Sequence, residues 1–124
     1  MKTLCNILIL FLLPILSYSQ TLTTPISQEV PVNVNGIGVS GFSLSGYNST
    51  TTYKVSLSIT GNANARFSVN TTTGLTRDFG YNSWVNVTSV NFTGTPSNIE
   101  NGLNSIKLNT TSTLNGLINL SVVI

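Results

Sequence analysis

Hydrophobic and polar residues alternate along much of this chain, and a period of two is typical of β-strands that bury one face. The longest such stretch is Tyr53–Thr60, where every second residue is apolar. A similar stretch closes the sequence at residues 118–124, and shorter ones occur at residues 30–34, 67–69 and 106–108. Each stretch is predicted to form a strand with one side in the core.

Clusters of Gly, Asn, Ser and Thr separate the predicted strands, and these residues favour turns. The clusters lie at residues 36–38, 46–52, 61–64, 70–74 and 109–116. The alternation changes phase at Gly41 and again between Val87 and Val90, which predicts a β-bulge in each place. Short strands separated by turns in this way predict an all-β, Ig-like sandwich of about seven strands.

One segment departs from the β pattern and predicts a short helix. Ser97 and Glu100 have the spacing of a capping box, in which two side chains bond the backbone at the helix start. Ile99 and Leu103 are four residues apart, so they would share one helix face and cover an end of the core. The asparagines of the segment would face water: Asn98, Asn101 and Asn104.

Residues 1–19 have the three parts of a secretory signal peptide. Lys2 supplies a positive charge, residues 7–16 are apolar, and a small-x-small cleavage site ends at Ser19. The apolar run is about half the roughly 20 residues that a membrane-spanning helix needs. We therefore expect a secreted or cell-surface protein whose mature chain, residues 20–124, is one β-sandwich domain without a membrane span.

The composition excludes most enzyme chemistry. The chain of 124 residues has no histidine, its one cysteine (Cys5) lies in the predicted signal peptide, and its three carboxylates are Glu29, Asp78 and Glu100. Without imidazole or thiol groups neither a zinc site nor an activated nucleophile is expected, and three separated carboxylates do not form the pair that glycoside hydrolysis needs. We predict no enzyme activity, no catalytic residues, no metal and no cofactor.

Charge and cysteine content also bear on the partners and the source. A formal net charge of +2 from five scattered Lys and Arg residues is too small to neutralise a phosphate backbone, so no nucleic-acid partner is expected. The mature chain has no cysteine, so its fold depends on a core rather than on disulfides. This favours a bacterial exported protein over a small eukaryotic secreted domain.

Three segments in a fixed order carry a family resemblance. They are the strand at residues 53–59 with the Thr-Gly-Leu-Thr turn at 73–76, the Val-Asn-Phe-Thr-Gly-Thr stretch at 90–95 with the helix after it, and the Leu-Asn-Gly turn at 114–116 with the last strand. In this order they resemble the bacterial cadherin-like β-sandwich repeats of surface and adhesion proteins. The resemblance implies a non-enzymatic structural or adhesive module, the first module of a longer protein, whose partner is a protein or glycan at the cell surface.

The chain departs from this family where calcium would bind. Such repeats commonly carry acidic residues after the second strand, whereas residues 39–43 here read Val-Ser-Gly-Phe-Ser. Calcium takes six to eight oxygen ligands, several of them charged. We therefore do not expect calcium binding.

The most distinctive segment is residues 77–84, which we call the aromatic loop. It combines three aromatic residues with two opposite charges: Arg77, Asp78, Phe79, Tyr81 and Trp84. Aromatic faces beside polar groups stack on sugar rings or anchor protein interfaces, so these five are candidate ligand-binding residues and a carbohydrate-binding module is the alternative function. The competing interpretation is structural: Trp84 and Phe79 close one end of the sandwich, and Arg77 pairs with Asp78.

Overall fold

The protein is an all-β sandwich with one short helix, as the alternation predicts. The structure is a computed structural model that describes residues 19–25, 35–61, 64–110 and 118–124. The predicted signal peptide up to residue 18, the predicted strand at residues 30–34 and most of the predicted turn at residues 109–116 lie outside these ranges.

Nine strands and one helix form within the described ranges. In chain order they are β1 (Thr21–Thr23), β2 (Asn35–Val39), β3 (Ser43–Ser45), β4 (Tyr53–Thr60), β5 (Arg66–Val69), β6 (Thr76–Arg77), β7 (Ser89–Gly94), α1 (Pro96–Leu103), β8 (Ile106–Asn109) and β9 (Asn119–Val123). Three strands are additional to the sequence prediction: one apolar stretch divides into β2 and β3, and β1 and β6 are too short for an alternation to show. The predicted strand at residues 30–34 is not among the nine because it lies outside the described ranges.

The strands of the described ranges pair in antiparallel fashion in three sheets. The four-stranded sheet has the order β6-β7-β4-β9, the three-stranded sheet has the order β2-β8-β5, and β1 pairs with β3. The inner faces of the two larger sheets and one face of α1 supply the core, and its burial is the main source of stability. Its largest fully buried side chains are Phe67, Phe92, Leu57, Ile99, Leu103, Ile106, Val55 and Val90.

The two phase changes mark changes of pairing partner, and the bulge predicted at Gly41 is wrong. Before Gly41, β2 pairs with β8, and after it β3 pairs with β1, so the chain passes from one sheet to another. Gly41 adopts φ +107°, a backbone conformation that side chains other than glycine rarely allow. Near the second phase change, Val87 bridges Phe67 of β5, whereas Ser89 already pairs with Ser58 of β4.

The start of α1 differs from the capping box that the sequence predicts. The N-cap residue is Thr95 and no side chain caps the helix; Pro96 occupies the first turn, where its missing N–H costs nothing. Glu100 instead accepts a hydrogen bond at Oε2 from the backbone N–H of Leu44, 3.0 Å away. Its carboxylate therefore attaches α1 to β3, a long-range contact that a local spacing rule does not contain.

The end of α1 is attached to the chain between β2 and β3. Asn104 is exposed, as the sequence predicts, and its Oδ1 also accepts hydrogen bonds from the N–H groups of Gly41 and Phe42, each 2.9 Å away. Its Nδ2 donates to the carbonyl of Phe42, also at 2.9 Å. One amide thus satisfies three backbone groups where the chain changes sheet. The expected burial of Ile99 and Leu103 is confirmed.

Candidate functional site

The aromatic loop leaves the four-stranded sheet at the end of β6. There β6 pairs with β7, and the pairing continues as the N–H of Asp78 donates to the carbonyl of Asn91 at 2.8 Å. The N–H of Tyr81 then donates to the carbonyl of Asp78 at 3.2 Å, which closes a tight turn. Gly80 inside this turn has φ +96°, so glycine suits the position. The turn places the residue before Gly80 at the outermost point.

The acidic residue of the loop is paired across the sheet. Asp78 Oδ2 lies 2.5 Å from Lys54 Nζ of β4, and this bridge raises the pKa of Lys54 above its ordinary value through the hydrogen bond and the opposite charge. The predicted pairing of Asp78 with Arg77 is wrong. Successive residues of an extended chain point to opposite faces, so Asp78 shares the outer face with Lys54 while Arg77 points to the other side.

Arg77 and Trp84 hold the inner side of the loop. Arg77 Nη1 donates to the carbonyl of Tyr81 at 3.1 Å, and its guanidinium carbon lies 5.8 Å from the centre of the Trp84 ring. The centre of the Trp84 ring lies 5.3 Å from the centre of the Phe92 ring. The backbone carbonyl of Trp84 accepts a hydrogen bond from the N–H of Val69 at 2.8 Å. The predicted packing of Trp84 against the core is confirmed.

Phe79 lies outside this bracing network. Its side chain is fully exposed, at 107% of the reference area, so the prediction that it closes the sandwich is wrong. Tyr81 is half-buried and packs against the core. The structure therefore brings Arg77, Asp78 and Trp84 together as supports, and Phe79 stands free above them.

The exposed ring of Phe79 and the salt bridge of Asp78 determine which contacts this site can make. A phenyl ring without neighbours on either face offers apolar contact to a protein side chain or to the CH groups of a sugar. Lys54 also belongs to the site, as the partner of Asp78. The alternation of β4 predicts that Lys54 faces outward. Its partner depends on the register of β6, and a strand of two residues has no sequence pattern from which that register could be predicted.

The described ranges add two observations on other kinds of site. Within them, no three His, Cys, Asp or Glu residues come together in a way that would hold a metal ion. The same ranges contain no helix of the length and apolar character needed to cross a bilayer.

No protein-family model, curated protein or solved structure matches the chain. The resemblance to cadherin-like repeats accordingly stays a prediction that depends on the three sequence segments.

The Lys54–Asp78 bridge gives a prediction about pH. Because the bridge raises the pKa of Lys54 in the folded state, its stabilising contribution is present below the unfolded value of roughly 10.4 and is lost as the pH rises above the folded value. Wild type is expected to melt slightly higher than Lys54→Gln at pH 8, and the difference is expected to disappear once the pH exceeds the raised pKa of Lys54. Melting curves of both proteins across this range test it, since other groups titrate in both. A difference that grows in alkali would contradict the assignment.

Proposed function

We propose that this chain is a non-enzymatic structural or adhesive β-sandwich module of an exported bacterial cell-surface or extracellular protein, and that it contacts its partner through Phe79. The observation that carries this proposal is the complete exposure of Phe79 on a braced loop. Aromatic residues are enriched among the few residues that dominate the binding free energy at protein interfaces. A phenyl ring exposed to water is unfavourable, and a partner that covers it removes this cost.

The bracing of the loop supports a binding role. The salt bridge of Asp78 and the contacts of Arg77 and Trp84 fix the backbone on both sides of Phe79. A contact residue that is held in place before binding loses less conformational entropy when the complex forms. A merely solvated loop would not need three separate attachments.

The other polar groups support a role without catalysis. The two carboxylates in the described ranges are both engaged, Asp78 with Lys54 and Glu100 with the Leu44 N–H. The whole chain has no histidine. Nucleophilic chemistry by a lysine needs an uncharged amine, and the salt bridge to Asp78 raises the pKa of Lys54 and so keeps its amine protonated.

Carbohydrate binding is the second candidate function. Its supporting observation is again the exposed face of Phe79, with half-buried Tyr81 two residues away and the charged pair of Asp78 and Lys54 beside it. A sugar ring stacked on Phe79 would find hydrogen-bonding groups at the rim of the loop. The two candidates use the same residue and differ in the chemistry of the partner.

The test is attachment by the exported chain. The chain is produced in a bacterium with its own N-terminal segment, recovered, and its mass measured, which also tests cleavage after Ser19. Beads coated with it are offered to bacterial cells, to beads carrying the same protein and to a glycan array. Phe79→Ala is expected to reduce attachment at least tenfold at an unchanged melting temperature, as the loss of a binding hot spot would.

Two controls make the result specific. Phe79→Tyr keeps the ring and is expected to keep attachment, and Val123→Ala removes an exposed aliphatic group elsewhere and is expected to change nothing. Loss of binding to cells and protein-coated beads supports the adhesive role, and loss of binding to particular glycans supports the second candidate. Equal attachment by Phe79→Ala on every surface would refute both.

A further inference from the structure

The edges of the two larger sheets differ in length and regularity. Among the described residues, β6 is an edge of only two residues, and β5 is bonded along its outer side by residues 84–87. The register of β2 shifts between Asn35 and Ile37. In contrast, β9 pairs with β4 in one regular register over Asn119–Val123. Of these four edges, β9 is therefore the one suited to receive another strand.

The backbone groups on the outer side of β9 belong to Leu120 and Val122. In β4, the N–H of Ile59 donates to the carbonyl that precedes β7, so Ile59 directs its backbone groups towards β7. Successive residues of an antiparallel strand direct these groups to alternate sides, so Ser58 bonds β9, where its register partner is Ser121. By the same alternation, Leu120 and Val122 direct their N–H and C=O groups away from the sheet.

The side chains of β9 are less well covered than those of its neighbour. Leu120 and Val122 pack against the core but stay half-buried, whereas their register partners Ile59 and Leu57 of β4 are buried. On the outer side of the strand, Val123 is 61% exposed. A strand added beside β9 would bond the outward backbone groups and cover this apolar row at the same time.

The sequence of β9 has none of the residues that usually protect a sheet edge. Residues 119–123 read Asn-Leu-Ser-Val-Val, without a charge, a proline or a glycine. Edge strands of soluble proteins commonly carry a charge, a proline or a bulge that prevents pairing with another chain. Because β9 is uncharged, it attracts neither an acidic nor a basic segment, and the strand that matches it is also uncharged and extended. A second β9 meets this requirement.

We propose that β9 pairs in antiparallel fashion with β9 of a second copy of this chain, about a two-fold axis at Ser121. Leu120 of one copy then faces Val122 of the other, and each such pair exchanges both N–H···O bonds. At the axis Ser121 meets Ser121, so no like charges come together. The two four-stranded sheets join into one continuous sheet, and the contact is closed and self-complementary. This interface does not use the aromatic loop and goes beyond the proposed function.

Sedimentation velocity of the exported chain over a range of concentrations tests the proposal. Wild type is expected to change from monomer to dimer as its concentration rises. Ser121→Lys places two like charges directly opposite each other, so it is expected to weaken the dimer about fivefold at low salt and less at high salt. Ser121→Glu is expected to do the same, and an equimolar mixture of the two variants is expected to associate again. Ser89→Lys, which adds the same charge on the exposed outer side of β7, is the control and is expected to dimerise like wild type.

Amide hydrogen exchange locates the contact within the dimer. Exchange at Leu120 and Val122 is expected to slow as the concentration rises, because their N–H groups become bonded only in the dimer. The N–H of Ser121 already bonds β4 in the monomer, so its exchange is expected to depend much less on concentration. Slower exchange at other strands with no change at Leu120 and Val122 would place the contact elsewhere and refute the proposal.

Three further results would overturn the proposal. They are a chain that stays monomeric up to about 1 mM, a dimer that Ser121→Lys forms as well as wild type, and a mixture of the two charged variants that does not associate. Phe79→Ala is expected to dimerise like wild type, and beads coated with Ser121→Lys are expected still to need Phe79 for attachment. Failure of this interface and failure of the aromatic loop are therefore separate results.

Discussion

Replacing Trp84 with alanine is expected to lower the free energy of unfolding by about 3 kcal/mol, near the lower limit for aromatic residues because the indole is only partly buried. The substitution removes the ring that packs 5.3 Å from Phe92 and the aromatic surface over which Arg77 lies. Both losses loosen the connection between the aromatic loop and the core. Urea unfolding of wild type and variant measures the change.

The matched control lies in the same loop. Phe79→Ala removes an aromatic ring of similar size that touches nothing in the fold, so its stability is expected to stay within about 0.5 kcal/mol of wild type. If Trp84→Ala instead melts like wild type and loses attachment, Trp84 is a contact residue and its structural assignment is wrong.

Replacing Asn104 with alanine is expected to cost about 2–3 kcal/mol, because three backbone groups of Gly41 and Phe42 lose their partner at once. The partly buried groups at Phe42 account for most of the cost, since water reaches them poorly. Asn104→Asp keeps an acceptor for the two N–H groups but loses the donor, so an intermediate loss is expected. Thermal and urea unfolding of both variants test the order.

Asn101 provides the comparison for this prediction. It lies in α1, three residues before the C-cap residue Asn104, and its exposed side chain does not hold Gly41 and Phe42, so Asn101→Ala is expected to change stability by no more than about 0.5 kcal/mol. Equal stability of Asn104→Ala and Asn101→Ala would show that the three hydrogen bonds of Asn104 contribute little in solution.

The parts of the fold that the sequence predicts are those governed by local periodicity. The alternation of Tyr53–Thr60 correctly identifies Val55, Leu57 and Ile59 as core residues, and the four-residue spacing of Ile99 and Leu103 correctly predicts a helix face. In both cases the geometry of a single strand or helix decides which side chains meet the core. No knowledge of the partner strand is needed.

The errors concern groups whose partners are distant along the chain. Glu100 bonds a backbone N–H 56 residues away, and Asn104 bonds groups more than 60 residues away. The same holds for Asp78, whose lysine is on β4 because two strand registers bring them together. Local rules paired these polar groups with sequence neighbours or with water. In the fold each of them bonds a group that is distant along the chain.

For the candidate site, the sequence identified the segment but left two roles open for Phe79, of which closing the sandwich is wrong. Trp84 and Phe79 are chemically similar, and composition does not distinguish which ring is buried. The turn closed by Tyr81 and Gly80 decides it, because it turns Phe79 outward while Trp84 follows the chain back to β5. The exposed ring is thus a product of turn geometry rather than of hydrophobicity.

The strand order of the larger sheet also determines how the module would respond to tension. The aromatic loop follows β6, and the last described strand is β9, so both belong to the sheet β6-β7-β4-β9. A pull applied between Phe79 and the end of β9 would load the β7–β4 and β4–β9 hydrogen bonds and also the bonds that join Trp84 and Val87 to β5. The rupture force would then depend on the ladders of β4 and on these contacts with β5, whereas substitutions in β2 would alter thermal stability with little effect on mechanical strength.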